Sequence, residues 1–597
     1  MPTDRAFETS LERAKEFLGL RRMNRRDLIR FVGGTSGLAV LNVYISACTG
    51  QPPATQPKST PAAPPAAAAP TSAPPTSAAV PPTPAVATQA TAGQPVTGGV
   101  LTIGYDAEPD SLNAYTTRLF ASTESGIHEG LIVTNDKMEY VPNHAEAVPT
   151  LENGGVQLNP MRVTYELRPD LKWSDGQPLT SEDVKFTWQA IVNPNFKRGG
   201  FNFGEGYDLI EKVDTPDPRT AILTFKGNYA AYNGMFRALL PKHVLDGKDI
   251  NTDPFNRVPV SNGPMRVKEW ISGQYSQMER NPFYRVAGRP YLDGLTMKFL
   301  TATNTRINQL QTGEVQYINQ VPWDRMEEIA QFPGVAIQSL VVNSWEHLDF
   351  NFRNPTLQDL AVRQAFAMGI DKKSIAEKVL QGKVPVADNV VTPLSWAHNP
   401  NVTKWEYNVE KARQTLENAG WKAGSGGVRE KGGQRLSFDC VTYAGDALRE
   451  RVQQVIQAQM REVGIELRIQ NYPPNTFFEQ VNDGKFDIKI HRWISSAEPG
   501  FASFFASDRM PPRGLNNVFW DNAEISKVFD EADREVDQNK RKELLFRAQD
   551  ILARELPTIP LFYRPNVIAT TAKLKNVRMN PTNDGDMWAV ADWYLER

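Results

Sequence analysis

Between Val163 and Val192 the hydrophobic period of the chain changes once. Val163, Tyr165 and Leu167 alternate with Thr164, Glu166 and Arg168, which predicts a strand with one buried face. Pro169-Asp170 and Ser174-Asp175-Gly176 carry turn chemistry, with Trp173 between them as an apolar anchor. Thr180 and Asp183 have the spacing of a capping box with the shorter acid, and Val184, Trp188 and Ile191 fall on one helical face behind it. The predicted order is strand, ordered turn, capped helix.

The same two periods recur along the chain. Leu101, Ile103 and Tyr105 alternate and predict a first strand. Asp371 is placed to cap a helix carrying Ile375 and Val379, ended by Gly382. Val409, Ala412, Leu416 and Ala419 share a helical face that stops at Gly420; Leu448, Val452, Val455, Met460 and Val463 share another that stops at Gly464. The second helix lies between two alternating segments, Leu436-Phe438-Cys440-Thr442 and Ile465-Leu467-Ile469. That is a βαβ unit, so its strands are expected to be parallel with a right-handed crossover. A further strand, Phe486-Ile488-Ile490, ends at Trp493. Ligands of open α/β sheets sit beyond the carboxyl ends of the parallel strands. The loops Tyr443-Ala444-Gly445-Asp446 and Trp493 to Pro499 are therefore the candidate binding loops, with a flat ring at Trp493 and small hydrogen-bonding groups at Ser495 and Ser496.

At 597 residues the chain is too long for one core, so two or three domains are expected. Its net charge is −2; residues 1–47 hold eight basic and five acidic side chains, leaving about −5 on the rest. No basic face calls for nucleic acid. The two cysteines, Cys48 and Cys440, have no partners nearby, which rules out a disulfide framework or a cysteine zinc cluster. Cys440 alternates with apolar neighbours and reads as a buried small residue. The six histidines, His128, His144, His243, His347, His398 and His491, are scattered without metal spacing. The sequence holds no G-x-S-x-G, H-E-x-x-H, P-loop or G-x-G-x-x-G, so no enzyme, metal or cofactor is expected.

Residues 21–48 combine a basic start, a mild apolar stretch broken by Gly33, Gly34, Gly37 and Asn42, and small residues before Cys48. The stretch is too short and polar for a spanning helix and reads as an export signal. Arg25-Arg26 with Leu28, Ile29 and Arg30 resembles a twin-arginine signal, and Ile45-Ser46-Ala47-Cys48 resembles a lipobox, in which Cys48 would be diacylated. Gln51 to Gly98 is almost wholly Pro, Ala, Thr, Ser, Gln and Val, a composition that cannot fold. As a semi-rigid tether it could reach on the order of 100 Å and lift a globular head off a membrane.

Tyr165-Glu166-Leu167-Arg168-Pro169-Asp170-Leu171-Lys172-Trp173-Ser174-Asp175-Gly176, followed by Thr180 and Asp183-Val184, resembles the signature of the family 5 solute-binding proteins, the oligopeptide, dipeptide and nickel receptors of ATP-binding-cassette importers. Further motifs follow in the family order. Glu108-Pro109-Asp110-Ser111-Leu112-Asn113 resembles E-P-x-S-L-D-P, with Asn113-Ala114 in place of Asp-Pro; Leu310 to Val315 matches L-x-x-G-E-V-D, with Gln316 in place of Asp. Val362-Arg363-Gln364-Ala365-Phe366 and Ile370-Asp371 resemble V-R-Q-A-x-x-x-A-I-D, and Leu556 to Leu561 resembles L-P-x-I-P-L.

The resemblance covers about residues 99–597 and implies an α/β, bilobal, periplasmic-binding-protein-like fold of type II in its large three-region form. By that analogy 1–47 is the signal peptide and 48–98 the tether; domain I combines 99–143, 259–350 and 566–597, domain II is 144–258, and domain III is 351–565. The implied function is capture of a peptide-like solute between two lobes and delivery to a permease, by a monomer anchored outside the cytoplasm through lipid on Cys48. The ligand contacts it implies are Arg118 and Phe120 in domain I, then Tyr443, Asn482, Trp493, Ile494, Ser495, Ser496 and Glu498, with Trp345 and Trp396 as further cleft aromatics. Peptide-binding members commonly hold the α-amino group with an acid three residues after this tryptophan. Here the loop is one residue shorter and Ser495-Ser496 stand there, while Val481 and Asn482 occupy helix positions that some members fill with basic residues. An oligosaccharide or other uncharged solute, and a sensory module with no transport partner, are the alternatives to a peptide receptor.

Overall fold

The computed structural model describes residues 95–117, 124–199 and 205–596. Cys48, Arg118 and Phe120, and the leader and tether up to residue 94, lie outside the described residues.

The alternation at the start of the head forms β1 (Val100–Tyr105), with Leu101, Ile103 and Tyr105 buried. In the stretch 144–258, β2 (Val156–Gln157), β3 (Arg162–Glu166), β4 (Ile210–Asp217) and β5 (Thr220–Phe225) form an antiparallel sheet in the order β2-β3-β5-β4. Val163, Tyr165 and Leu167 turn inward, and Trp173 is fully enclosed in the same core. α1 (Ser181–Val192) starts where the pattern places it, with the Thr180 N–H donating to the Asp183 carboxylate at 2.9 Å.

Beside smaller sheets of two or three strands, nine later strands join β1 in one ten-stranded sheet. They are β6 (Met265–Ile271), β7 (Tyr275–Arg280), β8 (Gly294–Phe299), β9 (Tyr317–Ile318) and the long β10 (Val335–Phe350). After α2 (Leu360–Gly369) and α3 (Val409–Asn418) come β11 (Ser437–Tyr443), α4 (Ala447–Val463), β12 (Glu466–Tyr472), α5 (Pro474–Asp483) and β13 (Ile488–Ile494). The short α6 (Ala502–Phe505), then α7 (Ala523–Arg534) and α8 (Gln538–Glu555), lead into β14 (Thr558–Thr571). The order is β12-β11-β13-β10-β14-β9-β1-β8-β7-β6.

The βαβ unit is present as read: β11 and β12 are parallel across α4, which buries Val452, Met460 and Val463. Two expectations change. Asp371 caps as predicted, its carboxylate accepting the Ser374 N–H at 2.9 Å, but only Lys372–Ser374 is α-helical before the chain widens into a π-helical turn over Ile375–Val379. Phe486 precedes β13 rather than opening it, because the Asn351 side chain takes its carbonyl at 2.6 Å and Asp487 turns away to accept from Asn354 and the Asp439 N–H.

β10 and β14 run through both halves of this sheet. Val335–Val341 pair with Pro565–Thr571, and Trp345–Asp349 pair with Thr558–Tyr563, with the register shifting between Val341 and Trp345. Of β10, β13 pairs with the later half alone, and of β14, β9 pairs with the far end alone. The two halves of the sheet thus meet at a break opposite Arg564-Pro565.

Candidate functional site

β13 positions the site. Antiparallel pairing sets Trp345 opposite Trp493, Glu346 opposite Arg492, His347 opposite His491 and Asp349 opposite Lys489. Side chains alternate across a strand, so the two faces of this strand pair carry different chemistry.

On one face lie Trp345, His347 and Asp349 with Trp493, His491 and Lys489. The Lys489 amino group bonds the Asp349 carboxylate, whose other oxygen meets His347 Nδ1 at 2.8 Å, all of it buried. Burial pushes the Asp349 carboxyl up, but its His347 and Lys489 partners outweigh that and hold it well below the usual carboxylate range. His491 is held neutral by burial, then by the Arg449 and Lys489 charges. An aromatic wall surrounds these groups: the Trp493 ring stacks on Phe504 at 4.5 Å and 24°, meets His491 at 4.9 Å, and Tyr443 packs on Phe477 and His491.

On the other face Glu346 bonds Arg449 Nε, and both side chains are 1% exposed. Arg449 Nη1 lies 3.4 Å from Asp446, the cap of α4, and Arg564 reaches Asp446 at 2.9 Å and Glu346 at 3.6 Å. Burial raises Asp446, yet Arg564 and Arg449 hold it well below the usual range. Arg492 completes the cluster beside Glu346. Among the described residues its guanidinium has no ion pair or side-chain hydrogen bond. Burial, and then the nearby Arg564 charge, make its protonated form less favourable than usual.

The edge of β13 is the second feature. β11 pairs with it only at Ile488 and Lys489; one step on, the Thr442 hydroxyl donates to the Ile490 carbonyl at 2.9 Å, and β11 ends at Tyr443. Ser495 N–H donates to the Asn343 carbonyl at 2.8 Å, so odd-numbered residues here point their main-chain groups at β10. The main-chain groups of Arg492 and Ile494 therefore point the other way, at an edge that no described strand covers.

Of the residues expected at the site, Tyr443, Trp493, Ile494 and Ser495 come together around this edge. The Ser496 hydroxyl donates to the Glu498 carbonyl at 3.2 Å, and the Ser496 carbonyl takes the Asn343 amide at 2.7 Å. Ser496 also borders a cavity of about 260 Å³ shared with Tyr140, Arg237 and Asp584. Asn482 is exposed near the end of α5. Glu498 is not a free anchor: its carboxylate is ion-paired with Arg541 of α8, and both are nearly buried. Trp345 does not line a cleft; at 2% exposure it is core, edge-on to Phe504 at 5.9 Å, because odd-numbered positions of β10 face that aromatic packing. Trp396 is half-buried, with the Arg541 guanidinium 5.9 Å from its ring.

Sequence reading missed Arg492, Arg449, Arg564, Glu346 and His491. One signal was available: Arg492 follows Ile488 and Ile490 in the same alternation, so a charge stands on a face that the pattern had already assigned to the core.

Around Glu498 the stretch 144–258 meets the stretch 351–565. The Ala230 N–H donates to the Asp533 carbonyl at 2.7 Å and the Ser503 hydroxyl to Glu205 at 2.8 Å. Burial and the Glu205 charge push the Asp533 carboxyl up to about 7 against the opposing pull of Arg541.

Residues 139–510, more than half of the chain, match the family model described as bacterial extracellular solute-binding proteins, family 5 middle. The oligopeptide-binding protein AppA of Bacillus subtilis (strain 168) is 30% identical over 516 residues, covering 84% of this chain and 92% of AppA. The glutathione-binding protein GsiB of Salmonella typhi is 25% identical over 491 residues, covering 80% of this chain and 89% of GsiB. The solved structure of AppA in complex with a nonapeptide superposes with a TM-score of 0.75 at 29% identity, covering 84% of this chain and all of that one. The periplasmic EDTA-binding protein EppA shares the fold, with a TM-score of 0.77 at 21% identity over 86% of this chain and all of that one. The chain belongs to the family 5 extracellular solute-binding proteins of ATP-binding-cassette importers.

Proposed function

We propose that the solute is a peptide, held in extended form as an added strand on β13 and presented to a permease. The carrying observation is the uncovered β13 edge at Arg492 and Ile494, which offers main-chain donors and acceptors next to the Trp493 ring. Strand addition of this kind draws affinity from main-chain hydrogen bonds and specificity from pockets for alternate side chains. The oligopeptide-binding relative and its nonapeptide complex support the same reading. Ser495, Ser496 and Asn482 supply polar contacts on this reading, and Arg118 and Phe120 are assigned to the solute by the family resemblance alone.

The lobes follow the division 99–143, 259–350 and 566–597 with 144–258, against 351–565. Closure bends β10 and β14 at their register break, between Val341 and Trp345 and opposite Pro565. The Glu205–Ser503 and Ala230–Asp533 hydrogen bonds are then contacts of the closed form. Cys48 carries the lipid and residues 48–98 form the tether, so a monomeric head works outside the cytoplasm. No helix among the described residues is long and apolar enough to cross a membrane. The role is binding and delivery without turnover.

Isothermal titration of the full-length protein against di- to nonapeptides and short oligosaccharides tests this. Peptides are expected to bind with micromolar or tighter Kd. Binding of oligosaccharides alone would refute the peptide reading.

A further inference from the structure

The charges around β13 do not balance. Three guanidinium groups, Arg449, Arg564 and Arg492, share two carboxylates, Glu346 and Asp446. Arg449 is fully enclosed, ion-paired with Glu346 and Asp446 and stacked over the Tyr443 ring at 4.5 Å, while Arg492 has no ion pair with a carboxylate among the described residues. Nearby Asp349 is already used by Lys489 and His347 on the opposite face, and Asp324 by the exposed Arg451. Arg492 is half-buried, and a partly desolvated cation without a counter-ion is costly, so the cluster has a place for one more carboxylate.

Its position says where that carboxylate comes from. Arg492 faces the side of the sheet that carries Glu346, and its own main chain points at the uncovered edge. A strand added there places one side chain directly beside Arg492, at a Cβ separation of about 5 Å, and the next residue's side chain on the opposite face beside Trp493. The fork of an arginine takes a carboxylate through two parallel hydrogen bonds.

We propose that Arg492, backed by Arg449 and Arg564, selects peptides with an aspartate or glutamate side chain at the position beside it, adjacent in sequence to an apolar or aromatic residue that packs on Trp493. This inference rests on the peptide reading and adds a side-chain rule to it. It also reverses the expectation of an uncharged solute drawn from Ser495 and Ser496: the charge anchor sits before the tryptophan, not after it.

The test uses the full-length protein and a pool of random-sequence nonapeptides, with retained peptides sequenced by mass spectrometry. The best of them is resynthesised with its acidic side chain as the amide, and separately with a C-terminal amide. Each is titrated calorimetrically against the unaltered protein, Arg492→Gln and Arg492→Lys. Retained peptides are expected to be enriched in an acid next to an apolar residue. Amidating the side chain costs the unaltered protein about 10- to 100-fold in Kd, the range of a hydrogen bond between charged groups. The same change costs Arg492→Gln less than about 3-fold, and C-terminal amidation costs either protein little. Arg492→Lys keeps the charge but not the fork and falls between, which carries the test if Arg492→Gln does not fold. Retained peptides without acidic enrichment, or equal side-chain costs in both proteins, overturn the inference while the peptide reading stands. A large cost confined to C-terminal amidation also overturns it, because the partner is then the chain end. Retention of no peptide at all refutes the peptide reading and this rule with it.

Discussion

Glu346→Gln isolates the buried cluster with the smallest change of shape. The amide keeps an oxygen for Arg449 Nε but removes one of only two negative charges facing three arginines. Both Glu346 and Arg449 are 1% exposed, so water cannot replace the lost charge. Removing one partner of a buried pair costs about 3–5 kcal/mol, because the survivor is left uncompensated. For a unit of about 500 residues unfolding together, an unfolding entropy of about 1 kcal/mol per kelvin turns this into a fall in Tm of about 3–5 °C. If a unit of about 200 residues around the cluster unfolds by itself, the fall is about 7–12 °C, and calorimetry distinguishes the two by the number of transitions. The measurement belongs at pH 7. The Asp446 and Asp349 carboxyls are held below their ordinary values. Such groups contribute stability above the unfolded-state value of about 3.9 and lose it as pH falls below that, so they stay constant at neutral pH. Adding Arg449→Met to Glu346→Gln removes the orphaned cation and should restore more than half of the loss, giving a coupling energy of a few kcal/mol. A Tm within about 1 °C of the unaltered protein, or a double variant that is worse than the sum of the singles, would refute the claim that Glu346 is the counter-ion of a desolvated Arg449.

Other expectations are narrower. Asp533 has its folded value raised to about 7, so its charged form is penalised above that pH and the penalty is relieved as pH falls toward the unfolded value of about 3.9. Asp533→Asn should therefore melt higher than the unaltered protein at pH 8, with the advantage shrinking below about pH 7 and gone only near pH 4; a constant difference across that range would exclude Asp533 as the titrating group. Trp345→Phe should lower stability by about 1–3 kcal/mol in urea unfolding while changing peptide Kd less than about 3-fold, since the ring is core and not cleft; a large loss of affinity at unchanged stability would return it to the binding surface. Cys48→Ala should move the protein from the membrane fraction to the soluble fraction, because a polar tether without its lipid has nothing to insert; unchanged fractionation would remove the anchor.

The parts of this molecule that were legible in the sequence are those whose cause is local. Thr180 and Asp183 meet within one helical turn, and Gly464 ends a helix by its own backbone, at φ 94°. The βαβ unit follows from two periods and a length. What was not legible depends on which strands become neighbours. Glu346 and Arg492 are 146 residues apart in the chain, and nothing near either announces the register that makes them opposite. Charged residues in a strand are read by default as facing water, so Glu346, Lys489 and Asp349 were passed over although all three are buried.

If the peptide adds to β13 as proposed, that default also draws attention to the wrong part of the binding segment. When the strand is taken to stop at Trp493, the side chains after it become what the protein offers, and two serines point to a neutral solute. Once β13 is seen to run to Ile494 beside an absent neighbour, what it offers is main chain, and the nearest side chain on the core face is Arg492. A serine-lined loop predicts a neutral solute and an arginine-lined edge an acidic one. Only the pairing of β10 with β13, fixed by contacts from Ser344–Ile494 to Phe350–Ile488, decides between them. Specificity in such a receptor is written in strand register, and a one-residue slip of β13 would exchange Arg492 for Trp493 on the core face.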